Sequence, residues 1–374
     1  MALLQNIPIS LPLMPGLNAS SSHTIIMQHD TASDFLASSY PTLRRHEASA
    51  NIVLAHALKR VSAEAALSGY EFMSDTDVKN WLSAADPSSF TPHHNEDAFW
   101  LTMWSSSPSG SYTLDLVLAC VNWTLGEYPI FLWTPIRPST LSPSWLVPRD
   151  PTAHRISEQL CSSRTRLLGV RNDSTSKTFA RIWTALTGFA VEPEPFYAAY
   201  FSYCTTDSFQ YSDAVLPEGH QLRRSTMADL EPVARLCKEF ADDSIFFPLS
   251  IERARIEARE LIAKGLLWVY DAHGDISTIC AVTRNTHRVS AITKVYTTPR
   301  WRRRGCAEYL VREVTARLLF DCGKDCVVLY VGHDNSAQRV YDRVGFAGLC
   351  GKDKPEGVED SLELGFVGAK RGHW

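Results

Sequence analysis

The hexapeptide Arg302-Arg303-Arg304-Gly305-Cys306-Ala307 decides the fold because of what flanks it. A β-type run, Ala291-Ile-Thr-Lys-Val-Tyr-Thr-Thr298, leads into Pro299. After the hexapeptide, apolar residues recur at Ala307, Leu310, Val311, Val314 and Leu318, the spacing of an amphipathic helix. Strand, basic glycine-containing loop and helix start together form a geometry for holding phosphates. The first helical turn leaves backbone N–H groups without partners, and the helix dipole favours an anion there. Gly305 lets the backbone approach a ligand closely, and Ala307 keeps the first turn uncluttered. The three arginines add charge and planar donor forks suited to phosphate oxygens. A solvated charge patch or a localisation-type basic run is the alternative reading, and the position between strand and helix favours phosphate.

About thirty residues on comes Asn335-Ser-Ala-Gln-Arg-Val-Tyr341-Asp-Arg-Val-Gly345-Phe346. With this second motif the chain resembles the GNAT superfamily of acetyl-CoA-dependent N-acetyltransferases, over about residues 220–350. That family's main signature, Arg/Gln-x-x-Gly-x-Gly/Ala, is matched by Arg302, Gly305 and Ala307. Its second, an Asn followed by a helix with a Tyr and then Gly-Phe, is matched by Asn335, Tyr341, Gly345 and Phe346. The resemblance implies an acyl-CoA N-acyltransferase fold, an α/β (mixed α+β) architecture with a central mixed sheet flanked by helices.

It also implies roles. Acetyl-CoA would be the cosubstrate, its pyrophosphate on the loop of Arg302, Arg303, Arg304, Gly305, Cys306 and Ala307. The pantetheine arm would run along Val295-Tyr296-Thr297, with a backbone N–H at Thr297 aimed at the thioester oxygen. Tyr341 matches the general acid that protonates the departing thiolate; its plain alternative is a core aromatic in a stripe with Val340 and Val344. Asn335 would contact the pantetheine or cap the helix that follows, and both readings stand. Cys306 reads as a tolerated small residue rather than a nucleophile, since this family transfers the acyl group directly. No general base is evident. The strand 289–297 carries no Asp or Glu, His287 falls in a hairpin turn, and Asp242 and Asp243 follow the first helix.

Bulk properties set the frame. The chain has 374 residues, long enough that two domains are expected. Hydrophobic residues make up 45% and charged residues 21%, an ordinary globular balance. The net charge of −4 argues against broad nucleic-acid binding. Nine cysteines include no CxxC pair, so reduced thiols and no metal site are expected. The apolar start, Met1 to His23, lacks a basic segment and is broken by prolines, so no signal peptide, no membrane span and a cytoplasmic location are expected.

The carboxyl-terminal half parses into a strand at 221–226, helices from Leu230 and Ser250, strands at 266–272, 276–284 and 289–297, the phosphate-loop helix, a strand at 326–331, the Tyr341 helix and a strand at 361–366. Upstream, helical stretches at 31–39 and 44–67 precede β-type runs at 99–104, 113–122, 130–134 and 164–170. The segment Ser174–Phe189, with Arg181, Trp183, Gly188 and Phe189, then echoes the Tyr341 motif. A tandem of two related domains follows, the first degenerate: its phosphate-loop counterpart, Pro135–Pro148, is proline-rich and lacks glycine, and Trp183 stands where tyrosine would be. The expected division is a tail at 1–24, a degenerate or cap domain at 25–210, a polar join near Thr205–Pro217 and a catalytic domain at 217–374.

The functional expectation is N-acetyl transfer from acetyl-CoA to a small-molecule amine, without nucleic-acid or membrane partners and with oligomeric state open. Longer-chain acyl transfer and a non-catalytic CoA-binding scaffold are the alternatives.

Overall fold

The computed structural model describes residues 24–72, 74–84, 99–106, 110–123, 126–127, 129–136, 166–169, 173–243 and 248–368. The apolar start and nearly all of the proline-rich stretch 135–148 lie outside these residues. The chain divides into two compact units, one of residues up to Tyr197 together with 361–370, the other essentially Ala198–Asp360.

In the first unit, β1 (Thr24–His29) precedes helices α1 (Ala32–Arg45), α2 (Asn51–Leu67) and α3 (Asp75–Ala84). Strands β2 (Phe99–Ser106) and β3 (Tyr112–Cys120) follow, then a small hairpin of β4 (Asn122–Trp123) and β5 (Gly126–Glu127), then β6 (Ile130–Trp133), β7 (Arg166–Gly169) and α4 (Asp173–Thr187). Helix α1 runs through Pro41 to Arg45, beyond the expected end at residue 39. Tyr40 just before the proline and Leu43 just after it are both buried and keep the apolar face continuous, and that burial outweighs the lost backbone bond.

The second unit begins on β8 (Tyr197–Thr205) and β9 (His220–Arg224), followed by α5 (Leu230–Asp243) and α6 (Ile251–Ala263). Three antiparallel strands come next, β10 (Leu267–Ala272), β11 (Asp275–Asn285) and β12 (Val289–Thr297). Then come α7 (Cys306–Ala316), β13 (Cys326–Gly332) and α8 (Gln338–Val344). Ser250 caps α6, its hydroxyl accepting from the Arg253 amide at 3.3 Å, as the sequence suggests. Gly345 ends α8 in the left-handed region at φ 111°, and a Cβ there would stand 2.1 Å from the Ser208 carbonyl oxygen, so only glycine fits. The last strand, β14 (Glu359–Gly365), pairs through Leu362–Gly365 with β7.

The two sheets share one topology. The first runs β1-β2-β3-β6-β7-β14 and the second β9-β10-β11-β12-β13-β8. In both, the fourth and fifth strands are parallel and all other neighbours antiparallel. Mixed α/β units of this kind are the expected fold class, and their common strand order supports the tandem reading. The boundaries differ from those expected. The division falls at 197/198 and 360/361 instead of at 210–217, because β8 hydrogen-bonds along β13 from Thr205↔Cys326 to Ala199↔Gly332. Each sheet is therefore completed by the strand that follows the other unit's last helix.

In the second unit the sheet separates two apolar clusters. Val311, Val314, Leu329, Val331, Tyr341 and Val344 lie on the α7/α8 side. Val233, Cys237, Ala258, Leu261, Ile279 and Tyr296 lie on the α5/α6 side.

The exchange of last strands has a checkable consequence. Cleavage in the exposed 210–218 segment should yield two fragments, each holding a strand of the other's sheet. They should co-elute in size-exclusion chromatography without denaturant; separation of the fragments would contradict the strand assignment.

Candidate active site

Strand β12 is where the second unit's sheet opens. Val289–Ile292 pair in parallel with Cys326–Leu329 of β13, and there the pairing stops. Beyond that point β12 stays on β11 through Thr297↔Thr278, while β13 stays on β8 through Gly332↔Ala199. Residues 293–297 of β12 and 330–332 of β13 thus face each other without a ladder. The open edge of β12 is five residues, roughly 16 Å at about 3.3 Å per residue.

A β-bulge sits at the opening. Ala281 pairs with Lys294 and Val282 with Ile292, which leaves Thr293 as an extra residue. Thr283 is extra on β11, and the two threonine hydroxyls meet at 2.9 Å. A bulge bends its strand and reverses the side-chain alternation beyond it. Accordingly Ile292 packs on the α7/α8 side whereas Tyr296, four residues on, packs on the α5/α6 side. Lys294 follows Tyr296. Its ammonium donates to Glu257 Oε1 of α6 at 2.6 Å and lies 5.0 Å from the Phe240 ring of α5. Both partners are buried, and Glu257 Oε2 has no partner among the described residues. Burial works against the lysine's charge, but Cys237 and Glu257 outweigh it and hold its pKa above the ordinary value.

Past Thr297 the chain makes a 3-10 turn (Pro299–Trp301) and enters the glycine loop. Arg303 at φ 61° and Gly305 at φ 78° both adopt left-handed backbone, the latter as the N-cap of α7. The helix ladder begins with Tyr309 N–H to Gly305 C=O at 3.0 Å, so the amides of Cys306, Ala307 and Glu308 precede it. No backbone acceptor is recorded for those of Arg303, Arg304 and Gly305 among the described residues. Alternating backbone handedness before a helix start gathers free amides into an anion-binding concavity.

The side chains of the basic run divide their work. Arg302, expected on the phosphates, folds back. Its Nε donates to the Thr297 carbonyl at 3.0 Å, and its guanidinium pairs with Asp243 and the Tyr296 hydroxyl. It is a strut between loop and strand, and Asp243 is committed to it. Arg304 covers the Trp301 ring at 4.9 Å. Trp301 donates from Nε1 to Asp275 Oδ2 at 2.7 Å. Arg303 is exposed. Cys306 is buried, and burial pushes its thiol pKa up, against a nucleophilic role.

The other expected residues fall around the opening. Val295 packs on the α7/α8 cluster, and Thr297 Oγ1 meets Thr278 Oγ1 at 3.0 Å. Tyr341 is 8% exposed on α8, its ring edge-on to Phe346 at 5.9 Å within the same cluster. Asn335 does not cap α8, whose N-cap is Ala337; its Oδ1 accepts from the Ala337 amide at 2.9 Å, an Asx turn leading into the helix. Of the suggested bases, Asp242 pairs with Lys238 on the surface and His287 is exposed in its turn. The bulge, the Glu257–Lys294 pair and the strut role of Arg302 were not foreseen. A lysine inside an apolar strand was the available signal for the pair, since such a charge must find a partner.

In the first unit the matching strand closes. Ile130–Leu132 of β6 pair with Leu167–Gly169 of β7, one buried residue, Trp133, remains, and Pro135 follows. Trp183 is buried on α4 against Phe179 and Phe366. No open strand edge of the β12 kind occurs among the first unit's described residues.

Residues 272–352, from the end of β10 past α8, match the family model described as FR47-like protein. Over those residues the carboxyl-terminal unit is similar to FR47-like proteins, in the same region where its two motifs resemble the GNAT superfamily. Similar solved structures include a GCN5-related N-acetyltransferase from Sphaerobacter thermophilus (16% identity, 93% of this chain and 97% of that one, TM-score 0.49). Another, from Kribbella flavida, is 15% identical over 68% of this chain and 87% of its own, with TM-score 0.43. A tandem GNAT protein from the clavulanic acid biosynthesis pathway is 14% identical over 94% of this chain and 100% of its own, with TM-score 0.44. The search of curated proteins finds no match. No helix among the described residues is long and apolar enough to cross a membrane.

The buried pair in the carboxyl-terminal unit yields a stability prediction. Glu257→Gln leaves the Lys294 ammonium buried beside a neutral amide and should cost roughly 3–5 kcal/mol, the range for breaking a buried ion pair from one side. Urea unfolding measures it, and a loss below about 0.5 kcal/mol, as for an ordinary surface substitution, would show that the pair is not a structural tie.

Proposed function

We propose that the carboxyl-terminal unit is an N-acetyltransferase that moves an acetyl group from acetyl-CoA directly to an amine of a small molecule, in the cytoplasm. The match to the FR47-like family model and the two GNAT-like motifs support acyl transfer in general. The observation that carries the finer reading is the opened strand pair ending in a loop of unpartnered amides. An extended amide-bearing arm capped by a pyrophosphate matches both parts. The arm would add itself to the open edge of β12 as a short strand, and the pyrophosphate would sit on the amides of residues 303–308.

The chemistry asks for two more groups. As the amine attacks, the thioester oxygen gains charge, and an amide at the end of β12, at Thr297, would stabilise it. Arg302 holds that end by gripping the Thr297 carbonyl. One well-placed donor of this kind is worth about 2.7–4 kcal/mol in the transition state. The thiolate then needs a proton, and Tyr341 on α8 is the candidate donor. The first unit, with its closed strand pair, would act as scaffold, without nucleic-acid or membrane partners.

Titration calorimetry with acetyl-CoA, CoA and a long-chain acyl-CoA tests the donor. Binding of acetyl-CoA and CoA in preference to the long chain is expected; preference for the long chain would replace acetyl with a larger acyl group. Absence of binding would make the unit a scaffold. Gly305→Glu should abolish binding by placing a charged side chain at a left-handed position within the cradle. Tyr341→Phe should leave CoA affinity unchanged and lower turnover by about 10²–10⁴-fold, and unchanged turnover would remove the acid role.

A further inference from the structure

An arm on β12 and a pyrophosphate on the loop amides leave one feature of the loop unused, the stack of Arg304 on Trp301. We infer that this stack is a platform for the adenine ring of the CoA cosubstrate; the inference rests on the acyl-transfer reading above and deepens it. Trp301 turns away from the opening. It ends the 3-10 turn between β12 and the glycine loop, and its Nε1 donates at 2.7 Å to Asp275, the first residue of β11. The ring of His220, the first residue of β9, stands edge-on to it with centroids 5.8 Å apart. His220 is fixed in turn, its Nδ1 lying 2.8 Å from the Tyr270 hydroxyl of β10. The indole also packs on the α7/α8 cluster. A ring held in this way has little freedom left to lose when a ligand stacks above it.

Arg304 supplies the upper surface. Its guanidinium lies over the Trp301 ring, 4.9 Å from the centroid, and the residue is exposed. Its neighbours are committed elsewhere: Arg300 pairs with Asp275 and Arg302 with Asp243. Arg304 makes no hydrogen bond or ion pair with another side chain among the described residues, so the indole alone holds it. A guanidinium is planar, and with one face on a ring its other face is open to a second flat partner. Purine bases stack on arginine planes as they do on aromatic rings.

The position suits the nucleoside end of the molecule. The gap in the sheet lies on the β13 side of β12, whereas Trp301 reaches the ends of β9 and β11 on the other side. An arm in the gap and a pyrophosphate on the amides of residues 303–308 would therefore send the nucleoside over the turn 299–301, onto Arg304. The platform also bears on the class of donor. A phosphopantetheine arm carried by a protein brings the same arm and a phosphate but no base, so the stack has a use only with a free CoA thioester.

The test is calorimetry of the full chain with CoA, 3′-dephospho-CoA and 4′-phosphopantetheine. All three carry the arm and a phosphate, the first two carry adenine, and CoA alone carries the 3′-phosphate. Wild-type protein should bind both adenine-bearing ligands about 5–150-fold more tightly than 4′-phosphopantetheine, the range for one base-stacking contact. Arg304→Lys keeps the charge and loses the plane. It should weaken CoA and 3′-dephospho-CoA alike, by about fivefold or more, and change 4′-phosphopantetheine by less than about twofold. Trp301→Leu should act in the same direction; because Arg304 is exposed, the lysine variant tests the platform without touching the packing beneath it. Equal weakening of all three ligands would make the stack a support for the loop, and weakening of CoA alone would make Arg304 a partner of the 3′-phosphate. Either result, or no change at all, would overturn the platform. Wild-type protein that binds all three equally would overturn it too and leave the acyl-transfer reading standing, whereas binding of none would remove both.

Discussion

One residue beyond the count of a regular antiparallel ladder, Thr293, organises the active end of the second unit. Before it, β12 is an ordinary central strand with neighbours on both sides. At it, the alternation reverses and the strand turns away from β13. Lys294 and Tyr296 are delivered to the α5/α6 side, where a carboxylate and an aromatic ring wait for the lysine. The backbone of residues 293–297 is left with one edge open. Unpaired peptide groups in a sheet interior are costly unless something meets them, so the opened edge is itself a statement about a ligand. The Glu257–Lys294 tie and the Arg302 strut hold the strand in this position from two sides. Neither needs to touch a substrate to matter.

The two units show what the bulge contributes, since they are built on one topology. In the first, the fourth strand ends one residue after its last described pairing with the fifth, and Trp133 at its end is buried. Trp133 donates to Ser49 at 3.3 Å and belongs to a finished core. The chain thus presents an experiment on itself: with an extended, bulged fourth strand a unit gains an open edge, and with a short one it gains a closed sheet. The exchange of last strands follows a different logic. Neither half of the sequence, cut near its middle, contains all the strands of one unit.

Much of this was legible in the sequence because it depends on local chemistry. The period-two run at 289–297 has the bounds of β12, and the glycine loop is followed by a helix with the anticipated buried face, Leu310, Val311 and Val314. The second motif fell on α8 with Gly345 at its left-handed end, as its residue type demands. What was not legible depends on pairing between distant segments. The alternation in Tyr197–Thr205 carries no sign that its partner is β13, more than a hundred residues on, and so the domain boundary was placed too late. A bulge is a mismatch between two strands and leaves no mark on either one alone. Arg302 looks the same in sequence whether it meets a phosphate or the Thr297 carbonyl; Asp243, from α5, decides the matter.

These placements suggest a division of labour in which main chain binds and few side chains react. On the proposed reading the cradle would be made of amides, the arm's partner would be a strand edge, and the thioester's donor would be another amide. Of three arginines that look like phosphate ligands, one braces the strand and one lies on a tryptophan. Recognition by backbone tolerates sequence drift at the loop so long as Gly305 keeps its left-handed φ and the strand keeps its bulge.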